Sequence, residues 1–503
     1  MNLTSTWQHF FGRVTIPWYE EHLKQQTLAT TWGFEQELHR FTKAKMDACT
    51  LSDAVRGVQI FGAVGSGKTS GSGRAIALSY LRSGFGGLVL CVKVDEADLW
   101  EKYCREAGRL HDLVRIRIDG QYTYNFLDGE ANQGAGALAQ NVAELFSEVM
   151  GIIDRAGKGM GKDDFWAPNV RKMLNHAIVL DIAANGRVTV DGITRVVTRA
   201  PLSRDSIMGL PRKGLLDNEK KGEYWTMREL ALKNAPDDIE VRDALDYFEN
   251  EFAGLADKTR SIIVASFTAM ADDLRRPALR KLLCGETNCR PEEAFAGKII
   301  VVDLPVHELK RVGRIGNVIW KTVFKNACQR RRNPDRPVFL WVDESQYVVD
   351  DSDVQFLTTA RGTRCCVVYL TQNISNYMVE LGSRDRVDAL LGSMHMKIYH
   401  QNGEQQTNEY ATKSIGRMPT LKTSESKPKK GFFESKGGKT TVSTSTEWDY
   451  DVPSRLFTNL RSGGVTNGLV VDGVVHLPGK RWSSGKTWLM TEFNQKTTGC
   501  KQI

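Results

Sequence analysis

Gly62-Ala-Val-Gly65-Ser-Gly67-Lys68-Thr69 follows the apolar run Val58-Gln-Ile-Phe61 and precedes a segment able to start a helix. The octapeptide fits G-x-x-x-x-G-K-[ST] at every fixed position. Glycine at Gly62, Gly65 and Gly67 lets the chain curl with its backbone N–H groups facing phosphate oxygens, where side chains would block the approach. A helix beginning near Thr69 adds its own free N–H groups and partial positive charge. The pattern predicts a nucleotide site in which Lys68 reaches the β- and γ-phosphates and the Thr69 hydroxyl ligates Mg²⁺; Ser66 and Ser70 complete the candidate contacts. A glycine-rich turn before an ordinary helix would look similar, but would not need the preceding strand.

Further short apolar runs lie at Leu88–Val94, Val114–Ile118, Ile299–Val302, Val338–Val342 and Val367–Leu370. Each is nearly continuous in apolar residues, as expected of strands covered by helices on both faces. Helical spacing separates most of them, at Ala97–Ala107, Ala137–Ile153 and Val312–Arg332. Alternating strands and helices predict a doubly wound α/β core. From about Gly134 to Glu293 the strand signal nearly vanishes and helical periodicity dominates, as in Val241–Phe252 and Ser261–Leu283. The expected organisation is a helical segment over 1–50, a core formed by 51–133 and 294–416, and a largely helical inserted domain over 134–293. A mobile basic loop over 417–450 and a strand-containing segment over 451–503 follow, with a hairpin expected at Asp472-Gly473.

Binding a nucleotide is not hydrolysing it, which needs a carboxylate for the metal and a group to orient water. Val338-Phe-Leu-Trp-Val-Asp343-Glu344 ends an apolar strand in two acids. Successive strand residues point to opposite sides, so Asp343 can face Mg²⁺ while Glu344 serves as general base or positions the attacking water. Cys365-Cys-Val-Val-Tyr-Leu-Thr371-Gln372-Asn373 ends another strand in a neutral amide, and Gln372 could touch both the γ-phosphate and that water. A cation to stabilise charge on the γ-phosphate is still missing. Arg361, with Arg364 in reserve, is the candidate arginine offered in trans to a neighbouring subunit.

Bulk properties narrow the class. The chain has 503 residues, room for two or three domains, and a formal charge of +8. Much of the excess sits in Lys413–Thr446, where eight basic residues face two acidic ones; a solvated loop or local phosphate binding both fit. Nine cysteines form no disulfide or zinc spacing, and Cys284 and Cys289 have no second ligand pair. No signal peptide and no run of 18 apolar residues is visible. These features predict a cytoplasmic protein without a membrane span of its own.

The combination resembles the coupling proteins of conjugative type IV secretion, within the superfamily of FtsK-like and HerA-like ring motors. Tyr124-Asn125-Phe126-Leu127-Asp128 resembles that family's Asn-Pro-Leu-Asp segment, with Phe126 in place of proline. Phe165-Trp166 resembles the start of its helical region, and Asp257–Ile263 followed by Arg276-Pro277 resembles the helix returning to the core. Ile299–Pro305 resembles the extra strand of the ASCE-type ATPases. Asp343-Glu344, Arg361, Thr371-Gln372-Asn373 and Gly392 through Gly416 then follow in family order. The resemblance runs from about Ile60 to Gly416, and thinly through Val452–Lys480.

It implies a RecA-like motor with an inserted all-α domain, a homohexamer around DNA, and ATP with Mg²⁺ as nucleotide and metal. It carries over Lys68, Thr69, Asp343, Glu344, Gln372 and Arg361 in the roles given above. Coupling proteins usually carry N-terminal membrane helices, which are not visible here, so a separate membrane protein would recruit this chain or it would work away from a channel. A relaxase, nuclease or secretion-channel protein is the implied partner, and DNA binding is expected to be non-sequence-specific. Two other readings remain: a secretion or assembly ATPase acting on protein, and a nucleotide-dependent interaction protein with low turnover. A small-molecule kinase would not explain Asp343-Glu344, or the 275 residues separating Lys68 from Asp343.

Overall fold

The computed structural model describes residues 32–131, 138–155, 167–202, 219–332, 334–426 and 441–495. In chain order its strands are β1 (Glu37–Arg40), β2 (Ala48–Thr50), β3 (Val58–Phe61), β4 (Gly86–Leu90), β5 (Leu113–Ile116), β6 (Ile299–Val302) and β7 (Val338–Val342). They continue with β8 (Cys365–Thr371), β9 (Met396–Tyr399), β10 (Arg417–Ser426), β11 (Thr441–Tyr450), β12 (Val470–His476) and β13 (Trp488–Asn494). Two compact units result. Among the described residues, one holds Trp32, Gly33 and Tyr80–Val367, and the other holds Phe34–Ser79 and those from Val368 to Gln495.

In the first unit, β5, β6, β4 and β7 lie side by side, all parallel. Every residue of β4, β6 and β7 is buried, which is why these strands read as unbroken apolar runs. Side-chain size sets how their faces are covered. Trp100, on the helix Glu96–Glu106, stacks on Phe339 with ring centroids 5.4 Å apart and meets Trp341 edge-on at 5.3 Å. Phe339 and Trp341 share a face because they are two residues apart on β7. The Phe339 ring occupies the place a Cβ on Gly87 would need, 2.5 Å away.

Among the described residues between β5 and β6 the regular elements are helical, including Leu138–Arg155, Ala167–Asn185, Val190–Arg199, Glu219–Asn234 and Asp257–Arg275. A buried charge cluster lies where Arg311–Arg330 meets the segment after β7. Lys321 Nζ is 2.8 Å from Asp353 and also meets Asp350 and the Val348 carbonyl, while Lys325 Nζ is 2.8 Å from Asp353 and pairs with Ser352. Burial opposes ionisation of Asp350, but Lys321 and Lys325 outweigh it and hold the carboxyl below the usual range.

In the second unit β3 pairs in parallel with both β8 and β9, β12 runs antiparallel to β9, and β13 antiparallel to β12. Three expectations are corrected here. Residues 34–50 are not helical: β1 and β2 form an antiparallel pair. Distant partners decide this, since Phe41 packs against Trp482 and Phe493, and Asp47 accepts the Ser483 N–H at 2.7 Å. The rest of the segment expected to be helical, 1–31, lies outside the described residues, as do Phe165 and Trp166.

The stretch 417–450 is not a loop throughout, because β10 and β11 pair antiparallel from Arg417↔Tyr450 to Ser426↔Thr441. Threonine and valine are strand formers even in a polar setting, and Lys422 reaches Glu447 across the ribbon at 2.6 Å; residues 427–440 lie outside the description. Asp472-Gly473 is not a turn either. Both sit inside β12, and glycine is needed there because a Cβ would come within 2.8 Å of the Phe493 ring.

Candidate nucleotide site

The phosphate loop leaves the C-terminal end of β3, pinned by neighbouring strand ends. Gly62 N–H donates to the Thr371 carbonyl at 3.3 Å and Ala63 N–H to that of Gln401 at 2.9 Å. Gly65 and Gly67 take φ of 74° and 82°, values natural only to glycine. Gly67 also has no room for a Cβ, which would meet Val471 at 2.5 Å. The first helical turn is widened, with Gly73 N–H donating to the Lys68 carbonyl at 2.8 Å, a π-type bond of the kind frequent at functional sites. Lys68 is buried. Ser66 Oγ is buried without a hydrogen-bond partner. A buried hydroxyl left so is costly, and a phosphate oxygen would satisfy it.

Behind the loop stands a residue the sequence reading missed. His400, just past β9, is fully buried; its Nε2 lies 2.6 Å from Ser72 Oγ and its Nδ1 2.7 Å from the Asp472 carbonyl oxygen. A carbonyl only accepts, so Nδ1 carries the proton and Nε2 accepts from Ser72. Burial pushes the His400 pKa down to about 4 against the raising effect of the Asp472 carbonyl, with Lys68 adding to the depression. The Asp472 carboxylate accepts Arg461 Nη2 at 2.6 Å, and Gln495 Nε2 donates to Ser70 Oγ at 2.6 Å. The C-terminal strands therefore brace the phosphate-loop helix. Gln372 follows β8, where Asn402 Nδ2 donates to its carbonyl at 2.8 Å, and Asn373 caps the helix Ile374–Leu381 through the Asn376 N–H at 2.9 Å.

In the other unit, Asp343 and Glu344 are buried at the C-terminal end of β7. Glu344 adopts φ of 53°, unusual for a non-glycine residue. Its N–H donates to Asp343 Oδ1 at 2.9 Å, and its Oε2 accepts Gln346 Nε2 at 3.0 Å. Lys93, also missed, follows β4, the strand beside β7. Its Nζ lies 2.8 Å from Asp343 Oδ2 and 3.3 Å from Glu344 Oε1. Burial disfavours the ammonium, yet Asp343, and then Glu344 and Glu96, outweigh it and hold its pKa above the ordinary lysine value. Burial, reinforced by Asp343, pushes the Glu96 carboxyl up. A lysine and a glutamate at a parallel strand's C-terminal end were the available signal, since ligands gather at that edge.

The two arginines differ. Arg361 caps the helix Asp351–Ala360 and is exposed. Arg364, at φ of 50°, donates to the carbonyls of Trp32 at 2.8 Å and Asp335 at 2.9 Å, which makes it an internal brace.

Thr69 in one unit and Asp343 in the other each present an oxygen, the donor type a hard divalent cation such as Mg²⁺ takes. Among the described residues no cluster of three or more His, Cys, Asp or Glu offers a metal site of another kind.

A phosphate loop beside parallel strands, with an acid pair ending a buried strand, defines the RecA-like class of P-loop NTPases. Residues 337–454 match the family described as the TraM recognition site of TraD and TraG. The fold is similar to the bacterial conjugative coupling protein TrwB, in its unbound form lacking the first 70 residues, with a TM-score of 0.61 at 15% identity, covering 92% of this chain and 91% of that one. Two further solved structures of plasmid coupling protein TrwB resemble it at 15% identity, each covering 92% of both chains. One holds the ATP analogue ADPNP (TM-score 0.59) and the other ADP with Mg²⁺ (TM-score 0.57). No curated protein matches the chain in sequence. The family match covers residues 337–454 alone, and the likeness to TrwB is one of fold.

Proposed function

We propose that this chain is an ATP-driven DNA translocase acting as a coupling protein in conjugative transfer. The observation that carries the reading is the pairing of a complete phosphate loop with Asp343-Glu344 at the end of a buried strand, in a chain of coupling-protein architecture. Lys68, the loop N–H groups and Ser66 would hold the β- and γ-phosphates, and Thr69 and Asp343 would each serve as a Mg²⁺ ligand. Bound Mg²⁺ supplies charge neutralisation on the terminal phosphates. Glu344 orients the water that attacks the γ-phosphorus and takes its proton; the bond to the β-phosphate oxygen breaks, leaving ADP and phosphate. Gln372 senses the γ-phosphate, and exposed Arg361 reaches the nucleotide of a neighbouring protomer in a homohexamer.

Binding to DNA in this reading runs mainly through phosphates and is indifferent to sequence. The 337–454 region contributes a docking surface for a DNA-bound accessory protein, such as a relaxase or its helper. No helix among the described residues is long and apolar enough to cross a membrane. Work on the cytoplasmic side fits the eight described cysteines, all buried thiols.

The test is steady-state ATP hydrolysis with and without DNA, run beside a native mass measurement. Stimulation by DNA, with assembly to a hexamer, supports the reading. Hydrolysis indifferent to DNA but raised by a protein substrate would replace it with the secretion-ATPase alternative.

A further inference from the structure

Lys93 is the feature the proposed mechanism leaves unused. It stands two residues beyond Cys91, where β4 gives way to the helix Glu96–Glu106, and its backbone is fixed there. The Glu96 carboxylate accepts the N–H groups of Val92 at 3.0 Å and Lys93 at 3.4 Å. The side chain is not so fixed. Its side chain is 30% exposed, against 1% for Asp343 and 4% for Glu344, so of the three it is the one most open to solvent. A hard divalent cation on Asp343 would sit about 2 Å from a carboxylate oxygen, or one water further out. The ammonium already lies 2.8 Å from Oδ2 of that carboxylate. Two positive centres on one carboxylate repel, strongly where water is scarce. Glu344 is restrained at the same time, by Lys93 on one oxygen and Gln346 on the other.

We propose that Lys93 is a movable cationic latch that competes with the divalent metal for Asp343 and holds Glu344 back until the metal arrives. It is a positioning residue, and the inference rests on the reading of Asp343 as a metal ligand. Metal binding swings the ammonium outward, and the same movement releases Glu344 to orient water. Hydrolysis is thereby tied to metal-loaded nucleotide, and metal demand is set by a side chain from the neighbouring strand.

The test uses Mn²⁺ as a paramagnetic probe on the full chain without nucleotide or DNA, comparing wild type with Lys93→Met, Lys93→Arg and Asp343→Asn. Lys93→Met is expected to bind Mn²⁺ about tenfold more tightly, Lys93→Arg to stay near wild type, and Asp343→Asn to lose the site. Lys93→Gln replaces the methionine variant if melting shows that variant unfolded. In turnover at saturating ATP, the Mg²⁺ midpoint of Lys93→Met falls by the same factor. Unchanged or weaker Mn²⁺ binding in Lys93→Met, with loss in Asp343→Asn, overturns the latch alone. No change in either variant overturns Asp343 as a metal ligand and the latch with it.

Discussion

Nε2 of His400 accepts from Ser72 across 2.6 Å, joining the first turn after the phosphate loop to the strand end at β9. The neutral ring accepts there while donating to the Asp472 carbonyl; protonation would reverse the bond to Ser72 and put a buried charge near Lys68.

Stability should therefore fall on acidification. A histidine whose folded pKa, about 4, lies below its ordinary 6.5 stabilises the fold above pH 6.5 and loses that contribution as pH drops toward 4. His39 and His476 are pushed to about 4 as well, chiefly by burial. Melting temperature measured from pH 7 to 4.5 should decline, and His400→Gln should decline less steeply. Equal slopes for both proteins would remove His400 from the account.

Lys68→Ala should abolish measurable nucleotide affinity in a fluorescent-nucleotide titration, because it removes the cation on the β- and γ-phosphates. Glu344→Gln should bind nucleotide normally yet turn over at least about 10²-fold more slowly, the usual scale of a general-base loss. Retained turnover in Glu344→Gln would mark the chain as an interaction protein.

Arg361→Ala should keep nucleotide binding and lose oligomer-dependent hydrolysis by about 10³-fold or more, the range for an arginine supplied in trans. Mixing it with Lys68→Ala should restore activity at hybrid interfaces. Arg364→Ala should instead lower stability, since it frees the carbonyls of Trp32 and Asp335. The reverse pattern would exchange the roles of the two arginines.

Lys321→Met should destabilise the protein by about 3–5 kcal/mol in chemical denaturation, because it leaves Asp350 and Asp353 buried beside Lys325 alone. A loss below about 1 kcal/mol would mean that water reaches the cluster.

What the sequence made legible followed from local chemistry. β3, β6 and β7 fall on the runs Val58–Phe61, Ile299–Val302 and Val338–Val342, because a strand buried on both faces has no polar alternation to blur it. The Gly65 and Gly67 turns were equally plain, since little but glycine accepts their φ. What stayed hidden depended on distant partners. Met396–Tyr399 contains Lys397, so β9 did not read as a strand; that lysine is buried and donates to the Met394 carbonyl at 2.7 Å. His400 and Lys93 lacked any motif, and only the fold sets His400 beside Ser72, 328 positions away, and Lys93 beside Asp343, 250 positions away. β1 and β2 were lost within the segment 1–50 expected to be helical, because what holds them lies far along the chain: Phe41 packs against Trp482 and Phe493.

The most direct measurement is a structure of the Glu344→Gln protein with ATP, Mg²⁺ and DNA. It should show Lys68 Nζ on the β- and γ-phosphate oxygens, Asp343 in the shell of the Mg²⁺ on that same nucleotide, and DNA within a ring of protomers. A nucleotide held by Lys68 while Asp343 stands remote from its metal would contradict the account.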